Sequence, residues 1–321
     1  MTPTLRKLGL FFRNRAVIVG LACYLGSLGV LSQNRNFELS TALIVLVVFG
    51  LVFPLLAWFA TIHATPLLIS VRPTAREMIV LVVCIVALSI YLIGGPGWID
   101  NQLSRLWLDS PRIKFFVTLA KKLLVFVAIP FAIFRFVFGY RARDFGIQIE
   151  GLRAIRRGHL PVLLLVGGSM IAFQYFLGGS AAPLRQGKFT AHQLLLGLPL
   201  CFAWLTIEVG LVEEFFFRAL VQSRLAAWFE SEVSGVVLMS LIFGLAHAPG
   251  FIFRHAGEVE NLGANPGVLD ALAYSIAVLA VSGILFGVIW SRTKNLFALM
   301  FLHAVGDLLP NFSNFISVWQ L

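Results

Sequence analysis

The stretch QLLLGLPLCFAWLTIEVGLVEEFFFRALV, residues 193–221, decides how the chain is read. It exceeds the roughly 20 mostly apolar residues that a helix needs to cross a bilayer, yet it carries Glu208, Glu213, Glu214 and Arg218. An ionisable side chain inside hydrocarbon is costly, so each one marks either a function or a neutralising partner.

The rest of the chain has the same character. Its 321 residues are 59% hydrophobic and only 12% charged, with a mean hydropathy of +0.90, whereas a soluble domain is roughly a quarter charged. This excludes a soluble globular enzyme, because the apolar residues exceed what one core can bury. Apolar stretches lie near Ala16 to Leu31, Leu39 to Ile62, Met78 to Ile93, Leu123 to Gly139, Leu160 to Gly178, Gln193 to Val221, Val233 to Ala248, Val268 to Trp290 and Leu296 to Phe312. The expected fold is all-α, a polytopic integral membrane helical bundle of eight to nine transmembrane helices. Arg6, Lys7, Arg13 and Arg15 before the first stretch imitate a secretory signal, but Gly26-Ser27-Leu28 and its neighbours make a poor cleavage site, so an uncleaved first span is expected.

The formal net charge of +10 would suggest nucleic acid in a soluble protein. In a membrane protein it sets orientation instead, and no nucleic-acid partner is expected. Arg72 and Arg76, then Arg141, Arg143, Arg153, Arg156 and Arg157, then Arg224, then Arg292 and Lys294 fall in alternate loops. A cytoplasmic N-terminus satisfies the positive-inside rule. The opposite loops are mixed, with Asp100, Asp109, Arg112 and Lys114, or Arg254, Glu258, Glu260 and Asp270. The basic segment from Arg141 to Gly158 reads as an amphipathic stretch on the cytoplasmic face. It divides the chain into N-terminal helices with their linker, residues 1–158, and a second set of transmembrane helices, residues 159–321. Cys23, Cys84 and Cys201 are scattered through apolar runs, which gives neither a disulfide framework nor a thiolate metal cage. Without a Walker or GxGxxG motif, nucleotide-driven transport has no local support. His63, His159 and His192 lie near span ends and His255 lies in a polar loop, where an interfacial or solvated histidine is the ordinary reading.

The remaining intramembrane ionisable groups follow helical spacing. Positions four apart share a helix face, so Glu214 can pair with Arg218 and His303 with Asp307. Glu213 then points about 100° from Glu214, leaving a desolvated carboxylate suited to proton transfer. Glu208 lies about 140° around the helix from Glu213 and receives no catalytic role. Glu213 and His247 are equidistant in sequence from Glu230, in the turn between two helices, which puts them at one height in a helical hairpin. His303 reaches the same layer if that hairpin protrudes about 10 Å from the membrane. Taken singly, a histidine in a span is a packing residue, a Glu and Arg at this spacing is a structural ion pair, and Phe215, Phe216, Phe217 and Phe243 are core aromatics. Convergence at one depth on three helices is what points to a site.

Glu213-Glu214-Phe215-Phe216-Phe217-Arg218 reads as EExxFR, Phe243-Gly244-Leu245-Ala246-His247 as FxxxH, and His303-Ala304-Val305-Gly306-Asp307 as HxxxD. In this order and setting they resemble the CPBP intramembrane proteases, the group of CAAX-processing endopeptidases and bacteriocin-processing or immunity proteins, from near Leu196 to Phe312. The resemblance implies a glutamic endopeptidase. Glu213 with His247 would activate water, His303 and Asp307 would stabilise the oxyanion or orient the groups around it, and Glu214 and Arg218 would shape the site with Phe217 and Phe243 in support. The family's third motif ends in Asn or Asp. Because an ionised Asp307 can only accept hydrogen bonds, its expected task is to hold the His303 tautomer.

No cofactor is expected. Zinc is the alternative, since two histidines and a glutamate can form a catalytic site, but HExxH is absent. The expected partners are membrane lipid and a protein or peptide substrate, lipidated or bearing a hydrophobic tail, in the plasma membrane of a prokaryote. A catalytically silent scaffold or bacteriocin-immunity protein that binds a peptide in the same cavity is the competing reading, and a proton-coupled transporter is a third.

Overall fold

A computed structural model describes residues 13–104, 110–252, 262–263 and 266–321. Arg6, Lys7, Asp109, Arg254, His255, Glu258 and Glu260 lie outside the described residues. Among the described residues the fold is all-α, without strands. Its long elements are α1 (Arg15–Leu31), α2 (Leu39–Ala60), α3 (Ala75–Ser104), α4 (Pro111–Val137), the short α5 (Ile149–Ala154), α6 (Leu160–Leu177), α7 (Gln193–Trp228), α8 (Glu232–Ile252), α9 (Val268–Thr293) and α10 (Leu296–Trp319). Eight are long and apolar enough to span a membrane, and α1 is a shorter apolar helix. The protein is therefore a polytopic membrane helical bundle.

Local chemistry sets the helix ends. Asn14 Oδ1 accepts from the backbone N–H of Ala16 at 2.9 Å, and Asn295 Oδ1 from that of Phe297 at 3.1 Å, each satisfying a donor that a helix start leaves open. Pro111 opens α4, where its missing N–H costs nothing. The hairpin turns after α7 and α9 pass through left-handed Glu230 and Lys294, both at φ 49°.

Two boundaries differ from expectation. Helix α4 begins at Pro111 rather than near Leu123, so Arg112, Lys114, Lys121 and Lys122 are helical. The charges made this segment read as a loop. Arg112 sits at the helix end, where it donates to the Trp319 carbonyl at 3.1 Å and to Gln320 Oε1 at 3.2 Å. Arg224 is not a loop charge either. It is fully buried, and its Nε donates to Glu77 Oε1 at 2.7 Å, so it is neutralised within the protein instead of marking the cytoplasmic face.

The chain forms two compact units. The first comprises residues 1–55, 70–96 and 220–291. It holds α1, α8 and α9 around Leu31, Phe37, Ala273 and Ala277, together with the Glu77 and Arg224 pair. The second comprises residues 56–69, 97–219 and 292–321. In it α7 and α10 pack through Cys201, Leu205, Val209, Ala304 and Phe312. Their backbones come close at Gly210, where an added Cβ would lie 2.7 Å from the Met300 carbonyl oxygen. In membranes small residues let helices close in this way.

One end of the second unit is held by Asn295. Its Nδ2 lies 2.9 Å from both the Gly151 carbonyl and His159 Nδ1, while His159 Nε2 faces the Thr65 carbonyl at 3.4 Å. An amide donor at Nδ1 requires a lone pair there, so the ring is neutral with its hydrogen on Nε2. His159 is thus a buried clasp rather than an interfacial residue. Burial, only partly opposed by the Thr65 hydrogen bond, holds its pKa below the ordinary 6.5.

Two outcomes follow from this packing. Gly210→Val forces α7 from α10 and lowers the unfolding temperature in detergent, whereas Gly26→Val, where an added Cβ meets nothing within 4 Å, leaves it within a degree or two. Because the folded pKa of His159 is depressed, its contribution to stability is complete above about pH 6.5 and is lost as pH falls through the folded value. Thermal unfolding compared at pH 7.5 and pH 5 should show a smaller acid loss in His159→Gln than in wild type.

Candidate active site

The second unit brings three of the sequence-selected motif residues, Glu213, Glu214 and Arg218, together with His303. Glu214 and Arg218 are both fully buried on α7, with Arg218 Nη1 2.9 Å from Glu214 Oε1. From α10, His303 Nδ1 meets the same Glu214 oxygen at 2.5 Å, and its Nε2 lies 3.8 Å from Glu213 Oε2. Glu213 is slightly more open, at 14% side-chain exposure. A carboxylate oxygen facing Nδ1 accepts, so Nδ1 carries a hydrogen and Nε2 is the atom directed at Glu213.

This differs from the expected pairing along α10. The hydrogen bond that orients His303 comes from Glu214 across the helix interface, not from Asp307 one turn away. Asp307 contributes through space, as one of several charges acting on His303, Glu213, Glu208 and Lys122. The close crossing at Gly210 lies four residues before Glu214, and its neighbour Met300 lies three residues before His303. That crossing therefore places the imidazole against the carboxylates.

The other two motif residues belong to the first unit. His247 on α8 directs Nδ1 to the Phe243 carbonyl at 2.8 Å, so the neutral ring has its lone pair on Nε2. The Phe243 ring lies beside it, with centroids 4.7 Å apart. In the second unit Phe217 is buried against Phe126 and Phe216, which walls Arg218's turn of the helix in aromatic rings.

Sequence reasoning missed Lys122 and therefore the partner of Glu208. Lys122 on α4 pairs with Glu208 and acts electrostatically on Glu213 and Asp307. Helix α7 widens into π-helical turns at Thr206–Leu211 and Glu214–Gln222, where hydrogen bonds span five residues and positions five apart come to one face. The 140° separation of Glu208 from Glu213 holds only for a regular α-helix. A lysine inside an apolar span was itself a usable signal, hidden because the span was started one residue too late.

Among the described residues no group of three or more His, Cys, Asp and Glu side chains is arranged to hold a metal ion. What the second unit assembles is an array of carboxylates, one guanidinium, one ammonium and one imidazole inside membrane-spanning helices. Residues 195–309 match the family model described as Type II CAAX prenyl endopeptidase Rce1-like, the segment that also carries the CPBP motifs. No curated protein and no solved structure matches the chain.

Removing one member of a buried ion pair costs about 3–5 kcal/mol, because the other is left uncompensated. Arg218→Ala should therefore destabilise the protein by that order and Arg218→Lys by less, read as unfolding temperature in detergent.

Proposed function

We propose that the chain is a glutamate-dependent, metal-independent intramembrane endopeptidase, with Glu213 as the general base. The supporting observation is the position of Glu213 opposite His303 Nε2, with His303 held from behind by Glu214 and Arg218. Atoms 3.8 Å apart can both contact one water oxygen at about 2.8 Å. Glu213 takes a proton from that water as its oxygen bonds to the scissile carbonyl carbon. The carbonyl π electrons move onto oxygen, where protonated His303 donates from Nε2. When the tetrahedral intermediate collapses, the C–N bond breaks and Glu213 returns its proton to the departing amine. The products are a carboxylate and an amine.

His247 has its lone pair on Nε2, and we assign it to water activation, the role that the CPBP motifs imply. Glu214 and Arg218 keep His303 oriented and charge-compensated, and Phe217 walls their turn of α7. A preorganised donor of this kind contributes about 2.7–4 kcal/mol to the transition state. The substrate is a membrane-associated polypeptide, and the family description names prenylated proteins as one class. We place the chain in the plasma membrane of a prokaryote with its N-terminus in the cytoplasm.

Glu213→Gln preserves shape and removes the base, so hydrolysis should fall by about 10²–10⁴-fold, the usual contribution of a general base, while the unfolding temperature stays near wild type. Proteomics of protein termini in cells carrying each form reads both activity and substrate. Survival of the cleavage products in the Glu213→Gln cells would overturn the assignment, and chelator inhibition reversed by zinc would overturn metal independence.

A further inference from the structure

The second unit has two chemically distinct ends, each closed by its own hydrogen bonds. At one, Asn295 is bonded to Gly151 and His159, and Arg292 Nη2 donates to the Thr61 carbonyl at 2.9 Å. At the other, Arg112 holds the end of α10, and Gln193 Nε2 donates to the Leu321 carbonyl at 2.8 Å. A cavity of about 250 Å³ lies toward this second end, lined by Lys114, Thr118, Cys201, Glu208, Asn311 and Asn314 among others. Lys114 and Thr118 are on the first turns of α4, and Asn311 and Asn314 are on the last turns of α10.

The inner limit of the cavity is set by α7. Glu208 lines it and pairs with Lys122, and Glu208 stands six residues before Glu214, about 9 Å along the axis. The cavity therefore runs from the Arg112 end toward the carboxylates and His303, and the Lys122 and Glu208 pair stands between. Its volume equals about eight waters at roughly 30 Å³ each, and its polar lining supplies the partners that water and a peptide backbone require. Aromatic side chains of Phe115, Trp204 and Phe315 complete the wall.

Charge distinguishes the two ends of this unit. Arg141, Arg143, Arg153, Arg156, Arg292 and Lys294 belong to the clasp end, and Arg112, Lys114, Arg185 and Lys188 to the other. The excess of Lys and Arg selects the cytoplasmic face.

We infer that this cavity is the entry route to the site and opens on the non-cytoplasmic face, so that the polypeptide hydrolysed is one presented from that face rather than a cytoplasmic prenylated tail. The consequence for substrate rests on the endopeptidase reading, but the route does not. Glu208, paired with Lys122, lies on the inner part of the lining that an incoming chain meets.

The test is labelling with a charged, membrane-impermeant methanethiosulfonate in intact cells, using protein whose Cys23 and Cys84 are replaced by Ala. Thr118→Cys in a Cys201→Ala background should react from outside, as should Asn314→Cys at the mouth. Arg153→Cys should react only after permeabilisation. Asn314→Trp should slow modification of Thr118→Cys at least tenfold. Reaction of the cavity cysteines only after permeabilisation, no reaction of either from any side, or an unchanged rate with Asn314→Trp would each overturn the inference. Labelling needs no hydrolysis. An inactive wild type that labels as expected therefore refutes the endopeptidase and keeps the route, and an active one that fails to label does the reverse.

Discussion

One carboxylate organises the site. Glu214 is fully buried, and a single oxygen of it meets both the guanidinium of Arg218 and the imidazole of His303. In a low-dielectric interior none of the three is cheap alone. Arg218 comes from the same helix face, one turn away, and so is in place as soon as α7 forms. His303 comes from α10 and arrives only when the two helices close on Gly210. The site is thus coupled to the packing of its unit, and Glu213 acquires a defined neighbour because Glu214 has fixed the ring that faces it.

The same economy appears elsewhere in the fold. Arg224 and Glu77 neutralise each other in the first unit, and Lys122 and Glu208 do so in the second. Charges that must lie among apolar helices are held in pairs, and Glu208 of the second pair lines the cavity.

Much of the fold and part of the site were legible in the residues themselves. Long apolar runs require helices in a bilayer, because every backbone group must be satisfied within its own segment. Polar residues at Glu230 and at Arg292 and Lys294 marked the hairpins. The four-residue spacing of Glu214 and Arg218 gave their pairing directly, since both belong to one helix. The same rule failed for His303 and Asp307, where a partner on another helix came closer.

The sequence by itself determined which segments are long and apolar enough to span the membrane, which motifs they carry and which family model residues 195–309 match, because these depend on local composition, spacing and order. Only the tertiary structure decided that Glu214 orients His303, that Arg224 and His159 are buried clasps, and that Glu208 lines a cavity while paired with Lys122. Those facts depend on how closely two helices approach and on how far each departs from 3.6 residues per turn. Both are set by packing against neighbours distant in the chain, and neither is encoded in the periodicity of one segment.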